Sequence, residues 1–265
     1  MTPNNDLKSF DSLVQILARL RGNPGCPWDK EQTHASLRRY LLEECYEALE
    51  AIEQEDMKRL AEELGDILFQ VAFHGRIAQE QGEFTLKEVI QILNEKLIRR
   101  HPHVFGDVKV ANAREVEVNW EAIKRQERDR SDMSLLDGVP KIMPALAYSQ
   151  AIQDRASHSG FDWNTIEGVL EKVAEEIDEL KMASSQDERE AELGDVLFAL
   201  VNSGRWLAID AESALRRANE RFFRRFTYME RLCRQRGVSF PSLALEEKEA
   251  LWGEAKVWER SNKEL

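Results

Sequence analysis

Two short acidic stretches carry residue types and spacings that could do chemistry. They are Glu175-Glu176-Ile177-Asp178-Glu179 and Glu192-Leu193-Gly194-Asp195. In each, two carboxylates stand three residues apart, Glu176 with Glu179 and Glu192 with Asp195. On a helix that spacing puts a pair on one face, with Cβ atoms roughly 5–6 Å apart. If the two helices run antiparallel, the pairs face each other. Ile177, Leu180, Leu193, Val196 and Leu197 would then bury that same side. Like charges 4 Å apart repel by about 4 kcal/mol at an effective dielectric of 20. A hard cation with oxygen ligands reverses the sign, and Mg²⁺ is the obvious choice, with Mn²⁺ as a substitute. A lone ExxE more often marks a solvated acidic face, but here the pattern is doubled and also recurs earlier in the chain.

The elements that must position these groups read as helices throughout. Helical spacing predicts Leu7 to Leu20, Thr33 to Glu55, a helix capped by Asp56 running to Gln81, Leu86 to Arg100, and Asn112 to Arg128. Thr85 and Glu88 form a capping-box pattern, Gly82 is a stop, Pro102 ends the Leu86 to Arg100 helix, and the 101–106 stretch reads as a loop. Ser131 to Pro144 is the linker candidate, so residues 1–130 and 145–265 are the expected domains. The second set is Ala145 to Ser157, Thr165 to Ala183, a helix capped within Asp187–Glu190, Ala211 to Arg236, and Leu245 to Arg260. No stretch alternates cleanly with period two, so the expected class is all-α.

The halves are repeats. Glu43, Glu44, Glu47, Glu63 and Asp66 match Glu175, Glu176, Glu179, Glu192 and Asp195 in the same order. Asn94, Glu95, Arg99 and Arg100 fall on Asn219, Glu220, Arg224 and Arg225. Trp28 falls on Trp163, Trp120 on Trp252, and Lys124 on Lys256. A coincidental acidic face would not bring its Trp, Lys and Arg companions along.

Composition bounds the function. The 265 residues are 42% hydrophobic and 32% charged, with net charge −12 and no basic block, which argues against general nucleic-acid binding. Cys26, Cys45 and Cys233 form no CxxC pair, no signal pattern opens the chain, and no apolar run spans a bilayer. A cytoplasmic protein without a membrane partner is the expectation. A di-iron bundle needs Glu-x-x-His on two helices, and only Glu31-x-x-His34 fits. A helical module that binds nucleotides without cleaving them is the non-enzymatic alternative. His101 and His103 are read as helix-end or loop-packing residues, and His34, His74 and His158 have no ligand spacing with one another.

EExxE followed by a helical spacer and ExxD, present twice, together with Cys26-Pro27-Trp28-Asp29 and His101-Pro102-His103-Val104-Phe105, resembles the MazG family of nucleoside triphosphate pyrophosphohydrolases in its two-domain bacterial form. The resemblance implies two tandem all-α helical bundles completed by dimerisation, here as a homodimer. It also implies Mg²⁺-dependent hydrolysis of nucleoside triphosphates to monophosphate and pyrophosphate. Carried over by position, Glu176, Glu179, Glu192 and Asp195 match the metal ligands, and Arg221, Arg224 and Arg225 match a basic cluster, with Arg221 where a Lys is usual.

The residue types suit those roles. Glu175, beside Glu176, is a candidate for orienting the water, or else a salt-bridged surface residue. Lys172 lies one turn before Glu176 and could meet a phosphate oxygen. Trp252 could pack on base or ribose, or be a core residue; Lys256 is one turn on, and Arg189 could also reach the triphosphate. Asn202 aligns with Phe73, and an amide can hydrogen-bond a ligand where phenylalanine cannot. The second half is therefore expected to carry the activity, with broad base specificity.

Overall fold

A computed structural model describes residues 6–127 and 134–261, without the side chains at 114, 117, 118, 121 and 124–126. The side chain of Lys124, the end of the fifth expected helix at Arg128, and the start of the expected linker lie outside the described residues. The chain divides into two compact units, Met1–Glu127 and Arg128–Leu265. Among the described residues no strand occurs, and the class is all-α.

The first unit comprises α1 (Phe10–Arg21), α2 (Pro27–Glu31), α3 (His34–Glu53), α4 (Met57–Gln81), α5 (Leu86–Arg100), α6 (Pro102–Phe105) and α7 (Ala113–Glu127). The second comprises α8 (Ala145–His158), α9 (Ile166–Met182), α10 (Gln186–Trp206), α11 (Ala211–Arg236) and α12 (Leu245–Ser261), with a 3-10 turn at Phe240–Ser242. Local chemistry sets the ends. Thr33, Thr85 and Ser185 each close a capping box with the residue three positions on. The Asp56 side chain accepts from Lys58 and Arg59 N–H. Gly82 (φ 72°) and Gly237 (φ 70°) terminate α4 and α11 in the left-handed region that glycine enters without strain.

Three readings are corrected. Pro102 does not merely end α5; it opens the one-turn helix α6, because proline suits the first helical position, where no N–H is needed. Pro27 opens α2, a short helix between the first two expected ones, for the same reason. The cap of α10 is Ser185, and Glu188 is its capping-box partner rather than the cap. From Ser134 on, the stretch read as a linker packs within the second unit: Val139 is buried, and Arg155 of α8 donates to the Leu136, Asp137 and Gly138 carbonyls.

Each unit is built on an antiparallel helix hairpin, α3–α4 in the first and α9–α10 in the second, closed by three-residue connections. In the first, α1 packs on α4, and Leu17, Leu37, Ala72, Phe73 and Ile77 form the core. In the second, α8 packs on α10 and α11 on α12, with Met229, Cys233, Leu251 and Ala255 at the centre of a second cluster. No helix among the described residues is long and apolar enough to cross a membrane.

Candidate active site

The α9–α10 hairpin brings the acidic stretches together. One carboxylate oxygen each from Glu176, Glu179 and Glu192 lies within 4.8 Å of the others. Glu176 is buried at 7% exposure, while Glu179 is exposed. Asp195 stands outside this trio but lines the same cavity as Glu176. A hydrogen bond with Glu176, then burial and the Glu176 charge, raise the Glu179 carboxyl above its usual value. In the first unit the trio is Glu44, Glu63 and Asp66, a different selection from the repeated quartet. There burial, followed by the charges of Asp66, Glu47, Glu63 and Glu43, raises Glu44.

The apolar residues expected on the same side as the quartet divide. Val196 is buried, but Ile177 (38% exposed), Leu193 (49%) and Leu197 (47%) are not. Leu193, Leu197 and Leu200 recur at i, i+4 and i+7, a stripe beside the carboxylates rather than beneath them.

Each cluster is partly neutralised by a cation. Lys172 Nζ lies 2.8 Å from both Glu175 Oε1 and Glu176 Oε1, and those bonds hold its ammonium above the ordinary lysine range. Glu175 is thereby salt-bridged at the rim. In the first unit Arg59 does the neutralising, from the other helix of the hairpin, at 3.2 Å to Glu63 and 2.6 Å to Glu50.

A cavity of about 380 Å³ opens beside the cluster, lined by Lys172, Glu176, Asp195 and Asn202 and walled by Phe161, Trp163 and Phe198. The Gly160–Trp163 turn is tied to the end of α10 through Asp162, which accepts from Arg205 Nη1 at 3.0 Å and from Trp206 Nε1 at 3.0 Å. Burial acts to raise the Asp162 carboxyl, but these bonds outweigh it and hold it below the usual range. Arg205 Nε also donates to Asn202 Oδ1 at 2.9 Å. Asp162 and Arg205 were not read as site residues from the sequence. The Gly204-Arg205 repeat of Gly75-Arg76 was the available signal.

The remaining predicted residues, Arg189 of α10 apart, lie on α11 and α12. Arg224 Nη2 lies 2.9 Å from Glu259 Oε1, and Arg225 Nε lies 2.8 Å from Glu259 Oε2. Arg225 lies over the Trp252 ring, 5.4 Å from its centroid, and Trp252 packs against the second core cluster. Arg221 is half-buried and Lys256 exposed. Arg189 donates to the Ala183 carbonyl at 3.3 Å, closing the α9–α10 turn. Among the described hydrogen bonds and ion pairs, none joins this group to the carboxylates. Glu259 is a further residue that sequence reasoning missed, although its first-half counterpart Glu127 lies at the same offset as the Trp120–Trp252 match.

The histidines divide as well. His101 caps α5, with Nδ1 2.7 Å from the Leu97 carbonyl. His34 and His74, which lack ligand spacing in the sequence, are brought together with Nδ1 atoms 2.6 Å apart. Burial, then the His34 charge, lowers His74.

Fold and site together define an all-α protein with a carboxylate cluster on a helix hairpin, composed of the hard oxygen donors that a small divalent cation takes. Residues 32–105 match the MazG nucleotide pyrophosphohydrolase domain. The chain is 47% identical over 247 residues to the nucleoside triphosphate pyrophosphohydrolase/pyrophosphatase MazG of Thermotoga maritima, covering 93% of this chain and 95% of that one. It is 46% identical over 257 residues to the nucleoside triphosphate pyrophosphohydrolase of Escherichia coli K12, covering 94% and 98%. The crystal structure of a mazG-related protein from Thermotoga maritima aligns with TM-score 0.38 at 30% identity, over 43% of this chain and 98% of that one. The chain belongs to the MazG family.

Proposed function

We propose that the protein hydrolyses nucleoside triphosphates to the monophosphate and pyrophosphate in its second unit, with Mg²⁺ and with broad base specificity. The observation that carries this reading is the gathering of Glu176, Glu179 and Glu192 oxygens within 4.8 Å, beside a cavity that Glu176 and Asp195 also line. The full-length similarity to two proteins named for that activity supports it.

The donor set fits the ion: oxygen only, anionic, and crowded enough to raise Glu179. Glu176, Glu179, Glu192 and Asp195 would hold it. When bound, Mg²⁺ acidifies water and neutralises phosphate oxygens. The chain's own groups supply the rest. Water adds to the α-phosphorus, the bond to the β-phosphate oxygen breaks, and pyrophosphate leaves. Glu175, fixed at the rim by Lys172, accepts the proton of that water. Arg224 and Arg225 are pre-oriented by Glu259 and each spend only part of their five N–H donors on it, leaving others to meet the polyphosphate. Arg221, Lys256 and Arg189 add positive charge, and Trp252 stiffens the Arg225 fork through its ring.

A homodimer is the reading supported by the exposed apolar stripes of both hairpins, including Leu193, Leu197 and Leu200 on α10 and Leu64, Leu68 and Val71 on α4. Free cysteines and an intracellular class of substrate support a cytoplasmic setting.

The test is to incubate the full chain with each of several nucleoside triphosphates and Mg²⁺ and to assay both phosphate products. Pyrophosphate is expected as the primary product. Orthophosphate released first would mean attack at the γ-phosphorus and would overturn the reading.

A further inference from the structure

The C-terminal half of α11 holds positive charge that the chain leaves unpaired. The helix carries eight arginines against three glutamates, although the chain as a whole has net charge −12. Glu259 holds Arg224 and Arg225, and Glu254 holds Arg236 at 2.6 Å. Arg231 and Arg234 are treated differently. Among the described residues neither side chain has a carboxylate partner. Glu230 stands four residues before Arg234, a spacing at which the two pair on a helix, and still forms no ion pair with it. Both arginines are exposed, and both line a pocket of about 220 Å³ together with Arg224, Tyr228 and Trp258. Arg224, Tyr228 and Arg231 recur at i, i+4 and i+7, and Arg234 stands three further on, so all four share one face of α11. None of the residues lining this pocket lines the cavity beside Glu176.

We propose that this pocket binds a compact phosphoryl anion of the pyrophosphate class, held by Arg231 and Arg234 with Arg224 at its rim. The rings pre-set the first of these groups. Tyr228 and Trp258 stack with centroids 4.5 Å apart and planes 16° from parallel. The guanidinium carbon of Arg231 lies over both, 4.9 Å from the Tyr228 centroid and 5.5 Å from that of Trp258. A guanidinium held by ring faces keeps its N–H donors in its own plane, where an anion reaches them. Its rotamer entropy is then largely lost before the anion arrives.

Size and charge select the class. The pocket, at about 220 Å³, falls below the roughly 300–1,000 Å³ of sites that enclose drug-sized ligands, so it suits an inorganic anion better than a whole nucleotide. Residues three apart on a helix are neighbours, with Cβ atoms roughly 5–6 Å apart, so Arg231 and Arg234 can each take one phosphoryl group of the same anion. Planar guanidinium forks match phosphoryl oxygens in pairs, and such charge-assisted bonds are about twice as strong as neutral ones. The proposal stands apart from the triphosphate reading, although pyrophosphate is the product that reading assigns to the second unit.

The experiment is a calorimetric titration of pyrophosphate into the full chain in EDTA, with neither Mg²⁺ nor nucleotide present. The wild type should bind it, and the double variant Arg231→Gln, Arg234→Gln should weaken that binding at least about tenfold. The control pair Lys58→Gln, Lys87→Gln removes the same charge from the first unit and should leave Kd within about twofold. No binding by the wild type, an affinity the pocket variant keeps, or equal losses in the two variants overturns the proposal. Orthophosphate, with one phosphoryl group, should bind at least about tenfold more weakly than pyrophosphate. Adenosine monophosphate or a hexa-aspartate peptide binding as tightly as pyrophosphate would mean a base-reading or unselective surface, and overturns the class. If the double variant unfolds, Thr227→Glu, at an exposed position lining the pocket, sets a negative charge there instead. It should also weaken pyrophosphate binding at least about tenfold, and an unchanged Kd overturns the proposal.

Discussion

Arg225 grips one oxygen of Glu259 through two nitrogens, Nε at 2.8 Å and Nη2 at 2.7 Å. Arg100 holds Glu127 in the same way, Nε at 3.1 Å and Nη2 at 2.6 Å. In both units the neighbouring arginine, Arg224 or Arg99, takes the other carboxylate oxygen, and the gripping arginine lies over a tryptophan. This clamp is thus duplicated along with the acidic quartet.

The clamps predict an acid limb of stability. Hydrogen bonds from Arg100 and then Arg99 hold Glu127 down to about 2. Glu259 is also lowered, its arginines outweighing a burial that acts to raise it. A depressed carboxyl contributes stability above its unfolded value, about 4.3, and loses it as pH falls through the folded value. Thermal melts of Glu259→Gln should show a loss of about 1.5–3 kcal/mol near neutrality and a flatter decline on acidification below about pH 4 than the wild type. Parallel curves would contradict this.

Lys172 competes with a cation for Glu176, since its Nζ lies 2.8 Å from that carboxylate. Lys172→Met should lower the Mg²⁺ concentration for half-activation several-fold while raising KM for the triphosphate. An unchanged metal dependence would show that the lysine does not contact the occupied site.

Gly65 and Gly194 sit in helix interiors with nothing within 4 Å of where a Cβ would stand. Alanine at either position should stabilise the isolated chain by about 0.5–1 kcal/mol, raising Tm by a few degrees. A lowered Tm, with a proposed dimer shifting to monomer by sedimentation, would show instead that a second copy packs against the glycine backbone.

Phe73 occupies in the first unit the place Asn202 holds in the second, and it is completely buried. Phe73→Asn should cost about 3–5 kcal/mol from the lost core volume, read by denaturant unfolding. A near-neutral substitution would mean that the first unit tolerates a ligand cavity there.

Much of this was legible in the sequence because the signals are local. The capping box at Thr85, the Gly82 stop and the i, i+3 carboxylates each fix a position from within a few residues. The repeat registered Trp252 and Arg225 against Trp120 and Arg100. What escaped depends on partners distant in sequence. Glu259 sits 34 residues from Arg225, Gln153 reaches the Phe198 carbonyl 45 residues away, and Asp162 meets Arg205 across 43. None lies within a motif, and the Gln153 bond exists only once α8 is laid on α10. The exposure of Leu193 and Leu197 was misread because amphipathic spacing marks an apolar stripe without naming what covers it.

We propose that the acidic quartet of the second unit, and not its first-unit counterpart, holds the catalytic cation. The most direct measurement is pyrophosphate release under saturating Mg²⁺ by Glu176→Ala and Glu44→Ala chains side by side. Glu176→Ala should lose roughly a hundredfold or more in turnover, equivalent to about 2.7 kcal/mol of barrier, while Glu44→Ala stays within a few-fold of wild type. Equal losses in the two variants would contradict the assignment.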